Sequence, residues 1–262
     1  MKKVFLSGAS GSVGKTIVRA IGEKNDLELV GGWCLEDGAD LGTLAGTAPI
    51  GIAASSDLDG ALIAAAPDIV IDFSSAPVMK GNLQCYLRHG LDAVVGTTGL
   101  TDAELAPFKE SVAQKELRWA VIPNYGLGIN LAADFIRRAR AHYPFVTITE
   151  QHTNQMANAP SGTAEMLAAA AGGSSPDVKS RESFPGALGA KINGVPVFSE
   201  RIPLPAPYSS HTITLARADE VVTITVADHT SDIYLDGIFL TVEKLPSLPA
   251  GSFIRSLSEI TG

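Results

Sequence analysis

A glycine-rich turn near the N-terminus constrains the fold of this chain most strongly. It lies between Val4–Leu6, an apolar segment that predicts a short buried strand, and Thr16–Ile21, whose apolar side chains recur at helical spacing. Glycines in such a turn let the chain reverse tightly, and they let a pyrophosphate approach the backbone at the helix N-terminus. The pattern therefore predicts a dinucleotide site. Its candidate residues are Gly8, Ser10, Gly11, Ser12, Val13 and Gly14.

Strands and helices alternate through the rest of the first half. Apolar segments that predict strands follow at Leu27–Gly32, Ile69–Phe73, Ala93–Val95 and Trp119–Ile122. This alternation predicts an α/β fold with a Rossmann-type, doubly wound parallel sheet. Small polar residues end three of the strands, and we expect these ends to line one edge of the sheet, where open parallel sheets bind ligands. The three ends are Gly8–Gly14, Phe73–Ser75 and Gly96–Gly99.

An acidic residue stands where a dinucleotide site usually places one on the adenosine ribose. Glu36 follows the second strand, about 20 residues after Gly14. An exposed loop carboxylate is the alternative interpretation. No Arg or Lys is adjacent to Glu36 or Asp37 to take a ribose 2′-phosphate. The sequence therefore predicts NADH or NADPH as the cofactor, with NADH favoured.

The same turn has a competing interpretation as a nucleoside-triphosphate loop. Ala9 is followed by Gly14-Lys15-Thr16 at the spacing of the looser form of that motif, and Ile69–Asp72 resembles its Mg²⁺-holding strand. The strict motif requires glycine at the position of Ala9. We therefore expect the dinucleotide site.

The second half of the chain follows a different pattern. Strands are predicted at Thr147–Glu150, Ala190–Phe198, His211–Ala216 and Val221–Ala227, the last two alternating Thr with apolar residues. They predict a second, α+β domain with an open, mixed and mostly antiparallel sheet. One face of such a sheet is open to cover by another subunit, which predicts a homo-oligomer. We expect residues 1–123 and 237–262 to form the dinucleotide-binding domain and 124–236 the substrate-binding and oligomerisation domain.

The stretch Glu150–Ala164 combines a candidate proton donor with a candidate anion site. His152 leaves the end of a predicted strand, and Gly162 and Thr163 open a predicted helix. Histidine exchanges protons near neutral pH, and unpaired amides at a helix start bind carboxylates or phosphates. Glu150 lies two residues before His152, on the same strand face, and is placed to orient it. His211 and His229 belong to no motif, so we interpret them as structural.

Composition and charge restrict the partners of the chain. A net charge of −8 argues against nucleic-acid binding, which normally needs a basic surface. The two cysteines predict reduced thiols in a cytoplasmic protein, and the Cys and His spacing predicts no metal site. The apolar run at the N-terminus is too short for a signal peptide or a membrane span. The expected partner is therefore a small molecule, with no membrane and no nucleic acid.

Several motifs in order resemble the dihydrodipicolinate reductase family of bacterial lysine biosynthesis. They are G-A-S-G-S-V-G, I-D-F-S-S, V-G-T-T-G, P-N-Y-G-L-G-I-N and E-Q-H-T-N-Q-M-A-N-A-P-S-G-T-A. The last motif is the most specific, since the family signature there is approximately E-x-H-H-x-x-K-x-D-A-P-S-G-T-A. The resemblance implies a dinucleotide-binding domain that includes the C-terminal segment, a substrate domain between, and a homotetramer.

The resemblance also implies roles for individual residues. His152 matches the family's proton donor. The substrate site is implied at Thr153, Met156, Ser161, Gly162 and Thr163. Cofactor contacts beyond the glycine turn are implied at Phe73, Gly96, Thr97, Thr98, Asn124 and Tyr125.

Three positions depart from the family signature. Thr153 replaces the second His, Met156 replaces the Lys, and Asn158 replaces the Asp. Loss of the Lys removes a charge-assisted hydrogen bond, worth on the order of 1.5–3 kcal/mol, to an anionic substrate. We therefore expect hydride transfer from NAD(P)H to a C=N bond of a cyclic imine that is less anionic than the usual dicarboxylate. The alternatives are the family's own reaction, 4-hydroxy-tetrahydrodipicolinate reduction, and a non-catalytic dinucleotide-binding protein.

Overall fold

The computed structural model describes residues 1–156, 158–173, 179–204 and 208–261. It divides into two compact units. The first unit comprises Met1–Tyr125 and Tyr234–Gly262, and the second comprises Gly126–Ile233.

The first unit is built on a seven-stranded sheet in which all strands are parallel. Its strands are β1 (Lys2–Ser7), β2 (Leu27–Trp33), β3 (Ala54–Ser55), β4 (Ile69–Asp72), β5 (Asp92–Val95), β6 (Trp119–Val121) and β12 (Phe253–Ile254). Their order across the sheet is β12-β6-β5-β4-β1-β2-β3. The central strands are almost entirely buried because helices connect them on both sides of the sheet. This arrangement confirms the predicted doubly wound parallel sheet.

Helices connect the strands of the first unit. They are α1 (Ser12–Ile21), α2 (Leu41–Leu44), α3 (Leu58–Ala65), α4 (Ala76–His89), α5 (Asp102–Gln114), α8 (Leu235–Lys244) and α9 (Ser258–Thr261). Several starts are fixed by side chains. Asp57 caps α3 through Gly60 N, and Thr101 and Glu104 form a reciprocal capping box at α5. Helix α1 differs, because Gly11 at its N-cap provides no side-chain bond.

Within its described residues, the second unit contains a five-stranded mixed sheet and two α-helices. Its elements are α6 (Leu127–Ala139), β7 (Phe145–Thr153), α7 (Gly162–Ala171), β8 (Ala190–Ile192), β9 (Val195–Ile202), β10 (Ser209–Arg217) and β11 (Glu220–Asp228). The order is β11-β10-β7-β9-β8, in which only β7 and β9 are parallel. The predicted mixed, mostly antiparallel sheet is therefore confirmed.

The prediction of one strand over Ala190–Phe198 is wrong. The segment is a hairpin of β8 and β9, joined at Asn193 and Gly194. Both turn residues have positive φ, +49° and +80°, which is the backbone that an Asn-Gly hairpin turn adopts. The β-branched and apolar residues on either side of this turn concealed the reversal.

Helix α7 is held on the sheet of the second unit by an alanine-rich face. Ala164, Leu167, Ala168 and Ala171 are buried there with side chains of α6 and of the sheet. Small side chains let the helix approach the strands closely. This packing fixes the start of α7 beside the end of β7.

Candidate active site

The glycine turn packs directly against the residue that follows β4. Gly8 has a φ of +81°, and a Cβ on it would lie 2.3 Å from the carbonyl oxygen of Phe73. A Cβ on Gly14 would lie 2.1 Å from the carbonyl oxygen of Gly8. Neither position can accept a side chain without displacement of backbone. The turn therefore has the close packing that the dinucleotide motif requires.

The predicted strand ends line an open cavity of about 400 Å³ in the first unit. Helix α1 begins at this cavity without a side-chain cap, so its positive end is available to an anion. The lining residues are Gly11, Ser12, Val13, Phe73, Ser74, Ser75, Ala76, Gly96, Thr97 and Thr98. The cavity thus brings together candidate cofactor residues from three separate loops, as the sequence predicted for one edge of the sheet.

Glu36 is exposed and is linked to the glycine turn through Ser10. Hydrogen bonds from the side chains of Ser10 and Cys34 lower the pKa of the Glu36 carboxyl, and the charge of Lys15 lowers it further. The carboxylate is therefore ionised beside the turn, where it can accept hydrogen bonds from ribose hydroxyls. Lys15 is a cation that adjacency in the sequence did not reveal, because it comes from α1.

Asn124 and Tyr125 follow β6. Asn124 is half-buried, whereas Tyr125 is fully buried. The Tyr125 hydroxyl donates to the backbone oxygens of Ala120, at 2.9 Å, and Val95, at 3.3 Å, and its ring lies 5.6 Å from the ring of Phe73. The Tyr125 side chain therefore supports Phe73 from the core and does not line the cavity.

The competing interpretation as a triphosphate loop fails at Asp72. A Mg²⁺-holding Asp must present its carboxylate to the metal and the phosphates. Asp72 is fully buried, and both of its carboxylate oxygens accept hydrogen bonds from protein groups. This Asp is therefore part of the core beneath the cavity.

Glu150 is the centre of a polar cluster in the second unit. Its carboxylate is fully buried and accepts hydrogen bonds from the backbone N–H of Ser161, at 3.1 Å, and from the Ser161 hydroxyl. The guanidinium of Arg201 also donates to it, with both terminal nitrogens at 3.3 Å. Ser161 in turn caps α7 through Ala164 N. One carboxylate thus ties the end of β7 to the start of α7.

The pKa of Glu150 reflects two opposing effects. Burial raises it, but contacts from His152, Ser161 and Ser199 together hold it well below the ordinary value of a glutamate. Glu150 is therefore an anion in the centre of the cluster.

Two histidines lie against Glu150. His152 Nε2 is 3.2 Å from Glu150 Oε2, within ion-pair distance but off the line of a hydrogen bond. His211 Nε2 is 3.8 Å from the same oxygen, and the two rings meet edge to face at 5.2 Å. His152 keeps 12% of its side chain exposed, whereas His211 keeps 2%. His152 is therefore the one placed to exchange a proton with a ligand.

The remaining candidate substrate residues surround this cluster. Ser161 is buried, because its hydroxyl serves the helix cap and Glu150. Gly162 is exposed, with open space where a Cβ would stand, and Thr163 is half-buried. Thr153 ends β7, and the side chain of Met156 is 37% exposed. The start of α7 is therefore open at Gly162, as the predicted anion site requires.

His211 and Arg201 were not identified from the sequence as members of this cluster. Strand register brings them there. His211 pairs with Glu150 across β10 and β7, and Arg201 pairs with His152 across β9 and β7. The interpretation of His211 as structural stays a prediction, and the register adds that this buried side chain belongs to the Glu150 cluster.

Two groups of side chains have metal-ligating atoms within 4.8 Å of one another in the part of the chain that the structure describes. They are Glu150, His152 and His211, and Asp59, Cys85 and His89. Arg201 already neutralises Glu150, and Arg88 donates to Asp59 at 2.9 Å. The carboxylate of each group therefore already has a protein cation beside it. Among the described residues, no helix is long and apolar enough to cross a membrane.

Comparison with known proteins covers nearly the whole chain. The family model for the N-terminus of dihydrodipicolinate reductase matches residues 2–125, and the model for its C-terminus matches residues 128–257. The 4-hydroxy-tetrahydrodipicolinate reductase of Desulfitobacterium hafniense is 32% identical, over 95% of this chain and 96% of its own. That of Synechococcus elongatus is 30% identical, over 94% of each chain.

A solved structure has the same fold. The dipicolinate-bound dihydrodipicolinate reductase from Paenisporosarcina sp. TG-14 superimposes with a TM-score of 0.82, covering 99% of both chains at 24% identity. Both the sequence profile and the architecture of the two units therefore agree. The chain belongs to the dihydrodipicolinate reductase family, whose members are NAD(P)H-dependent oxidoreductases.

Proposed function

We propose that this chain is a 4-hydroxy-tetrahydrodipicolinate reductase of lysine biosynthesis. The proposal is carried by the cluster of Glu150, His152 and Arg201 beside the open start of α7. This cluster combines a proton donor, its counter-ion, a cation and an anion-binding helix end. Curated relatives of that name, similar over nearly the full length, support the same assignment.

The two units divide the work in this proposal. The first unit binds NADH or NADPH, since its glycine turn leaves room for a pyrophosphate and the start of α1 is uncapped by a side chain. The second unit binds the substrate through Thr153, Ser161, Gly162 and Thr163. When bound, the reduced nicotinamide supplies the hydride.

His152 supplies the proton that accompanies hydride transfer. The hydride adds to carbon of the C=N or conjugated C=C–C=N group, and the electron pair released at the other end of the π system takes a proton from the His152 imidazole. Glu150 lies 3.2 Å from His152 Nε2, and this contact keeps the ring oriented. His152 returns to its charged form by taking a proton from water through its exposed edge.

The start of α7 seats a substrate carboxylate. Gly162 is exposed and carries no Cβ to obstruct an incoming oxygen. The positive end of the helix dipole favours the anion, and Ser161 holds this end in place by its bond to Glu150.

The prediction of a less anionic substrate finds no support in the comparisons. It rested on the replacement of the signature Lys by Met156, which implied too little positive charge for a dicarboxylate. Arg201 is a cation of the same cluster that lies outside the signature, although its charge is paired with Glu150. The family's own reaction, the alternative from the sequence, is therefore favoured.

The test is direct. Purified protein should oxidise NADH or NADPH when the lysine-pathway substrate is generated in the assay, and the gene should rescue a lysine auxotroph. His152→Gln should lower turnover about 10²- to 10⁴-fold, the range of general acid–base catalysis, while cofactor binding persists. Turnover of simple cyclic imines without turnover of the dicarboxylate would contradict the proposal, and absence of any turnover would favour a non-catalytic dinucleotide-binding protein.

Two further properties belong to the proposal. Titration with both dinucleotides will decide the preference between NADH and NADPH, since Glu36 favours ribose hydroxyls whereas Lys15 lies close enough to attract a 2′-phosphate.

A homotetramer is expected from the family. Large apolar side chains exposed on the second unit are consistent with subunit contacts, and they include Leu131, Phe135, Phe145 and Val221.

A further inference from the structure

Asp72 is a fully buried carboxylate at the carboxyl end of β4, directly behind the cavity of the first unit. The reaction proposed above assigns it no role. Phe73, the next residue, and Thr97, to which Asp72 is bonded, both line that cavity. A charged group in this position requires a physical explanation, because burial of an ionised carboxylate is costly.

Five hydrogen bonds converge on this carboxylate. Oδ1 accepts from Ser74 N at 2.9 Å, from the Ser74 hydroxyl at 2.7 Å and from the Thr97 hydroxyl at 2.7 Å. Oδ2 accepts from the Tyr86 hydroxyl at 2.6 Å and from Asn82 Nδ2 at 3.1 Å. All five donors are neutral groups, so they stabilise the negative charge without cancelling it.

The donor pattern indicates the ionised form of Asp72. The N–H groups of Ser74 and Asn82 can only donate, and they address different oxygens of the carboxylate. Burial, followed by the charge of Asp72, raises the pKa of Tyr86 well above its ordinary value, so that phenol also remains a donor. Both oxygens of Asp72 therefore act as acceptors, the arrangement that a carboxylate favours.

The bonds to Asp72 determine how two hydroxyls present themselves to the cavity. Ser74 and Thr97 both direct their hydroxyl hydrogens to Oδ1, and both residues line the cavity. Each hydroxyl has one hydrogen only, and the Ser74 oxygen already accepts from Asn82 Nδ2 at 3.2 Å, so what remains for a ligand is the unused lone pairs of the two oxygens. The cavity wall therefore accepts hydrogen bonds here, and it suits a ligand with amide or hydroxyl donors.

We propose that Asp72 is a positioning residue for the nicotinamide end of the cofactor, with two effects. It fixes Ser74 and Thr97 as acceptors for carboxamide or ribose donors, and its negative charge favours the oxidised, positively charged nicotinamide over the reduced, neutral one. This inference rests on the proposed function, in which the cavity holds a nicotinamide dinucleotide. Because positive charge develops on the ring as the hydride leaves, the same carboxylate promotes hydride donation.

Replacement of the charge separates this role from a merely structural one. Asp72→Asn should weaken binding of the oxidised dinucleotide about tenfold more than binding of the reduced one, measured by fluorescence or calorimetric titration. A structural defect would weaken binding of the oxidised and the reduced dinucleotide by the same factor. Thr97→Val removes a hydrogen-bond acceptor but keeps the charge of Asp72, so it should weaken binding of both dinucleotide forms by a similar factor.

A matched control comes from the opposite edge of the same sheet. Asp92 is a partly buried carboxylate at the start of β5 that accepts from Arg118 N at 2.7 Å. Asp92→Asn should leave the ratio of the two affinities unchanged. It therefore tests whether any loss of a carboxylate from this sheet shifts the ratio.

The outcomes distinguish this inference from the proposed function. Wild-type protein that binds neither dinucleotide contradicts the proposed function. Binding of both forms, with an unchanged affinity ratio in Asp72→Asn, overturns the charge effect of Asp72 alone. If that variant does not fold, Thr97→Val decides: unchanged affinity for both forms would overturn the positioning role.

Discussion

His211 lies directly opposite Glu150 on the neighbouring antiparallel strand, with its Nε2 3.8 Å from Oε2 of that buried carboxylate. The pair is sealed in the core of the second unit, since His211 is 2% exposed and Glu150 is fully buried. Burial, with the nearby charge of His152, lowers the pKa of His211 to about 4, although Glu150 opposes this shift. A buried histidine that resists protonation makes stability depend on pH.

The first prediction is a loss of stability in mild acid that is traceable to His211. Its pKa is lowered from 6.5 to about 4 on folding, so between these pH values the unfolded chain takes up a proton that the folded chain refuses. The stabilising contribution is fully present above pH 6.5 and declines as pH falls towards 4. From pH 7 to pH 5 the free energy of unfolding should fall by about 2 kcal/mol through this group.

Urea unfolding at the two pH values will measure this effect. His211→Gln should be less sensitive to the pH change by about the same amount, about 2 kcal/mol. His142 is exposed, and His142→Gln should retain the wild-type pH dependence. Equal pH dependence in His211→Gln and wild type would show that His211 is not the group responsible.

The second prediction concerns the charge of Glu150. Glu150→Gln keeps the shape but leaves Arg201 and the two histidines without their buried anion. Removal of one partner from a buried ion pair typically costs about 3–5 kcal/mol, so the variant should be strongly destabilised. Glu200→Gln is the matched control, because this neighbour is exposed and its carboxylate accepts a hydrogen bond from the neutral side chain of Gln151. Similar unfolding free energies for the two variants would contradict the assigned role of Glu150.

The third prediction tests the close packing of the glycine turn. Gly14→Ala places a Cβ 2.1 Å from the carbonyl oxygen of Gly8, so the turn must shift away from its dinucleotide-binding shape. Affinity for NADH and NADPH should fall at least tenfold, a loss of about 1.4 kcal/mol. Gly22→Ala in the residue after α1 has no atom within 4 Å of the added Cβ and a helical φ, so it should bind as wild type. Titration of both variants gives the answer, and equal affinities would mean that the turn does not hold the cofactor.

The fold was predictable because local patterns decide it. The strand, glycine turn and helix at Gly8–Gly14 identified the parallel sheet, and the Thr-rich alternation of β10 and β11 identified the antiparallel one. The hairpin at Asn193 was missed although Asn-Gly is a turn sequence, because apolar residues continue on both sides. A local sequence pattern does not reveal a chain reversal where two strands follow each other within one apolar segment.

The membership of the polar cluster was not predictable in the same way. His152 and Glu150 share one strand, so their proximity follows from a period of two residues. His211 and Arg201 reach the cluster through the registers of β10 and β9, which depend on packing between distant segments. Register cannot be inferred from one sequence when the strands carry no distinguishing pattern. This is also why the sequence did not reveal that Arg201 pairs with Glu150.

The fourth prediction asks how much charge the substrate loop still lacks. Arg201 is a cation of the cluster, but it is paired with Glu150 and bonded to the backbone oxygen of Asn158, so its charge is partly committed to the protein. Met156 is 37% exposed in the same loop. A Lys at this position would add an uncommitted cation, and a charge-assisted hydrogen bond to a substrate carboxylate contributes about 1.5–3 kcal/mol before losses to solvent. Met156→Lys should therefore lower KM for the dicarboxylate by up to about tenfold, about 1.4 kcal/mol, and change kcat little.

The salt dependence of KM provides the control for this prediction. An added charge at an exposed site should lose its benefit as ionic strength rises, whereas the neutral Met156→Gln variant should show the wild-type KM at every salt concentration. If Met156→Lys leaves KM unchanged, the charge carried by Arg201, His152 and the start of α7 is already sufficient for the dicarboxylate. If the variant gains activity only on uncharged imines, the substrate does not place a carboxylate beside residue 156. Among the described residues of the second unit, the start of α7 at Gly162 would then be the only candidate site for a substrate carboxylate.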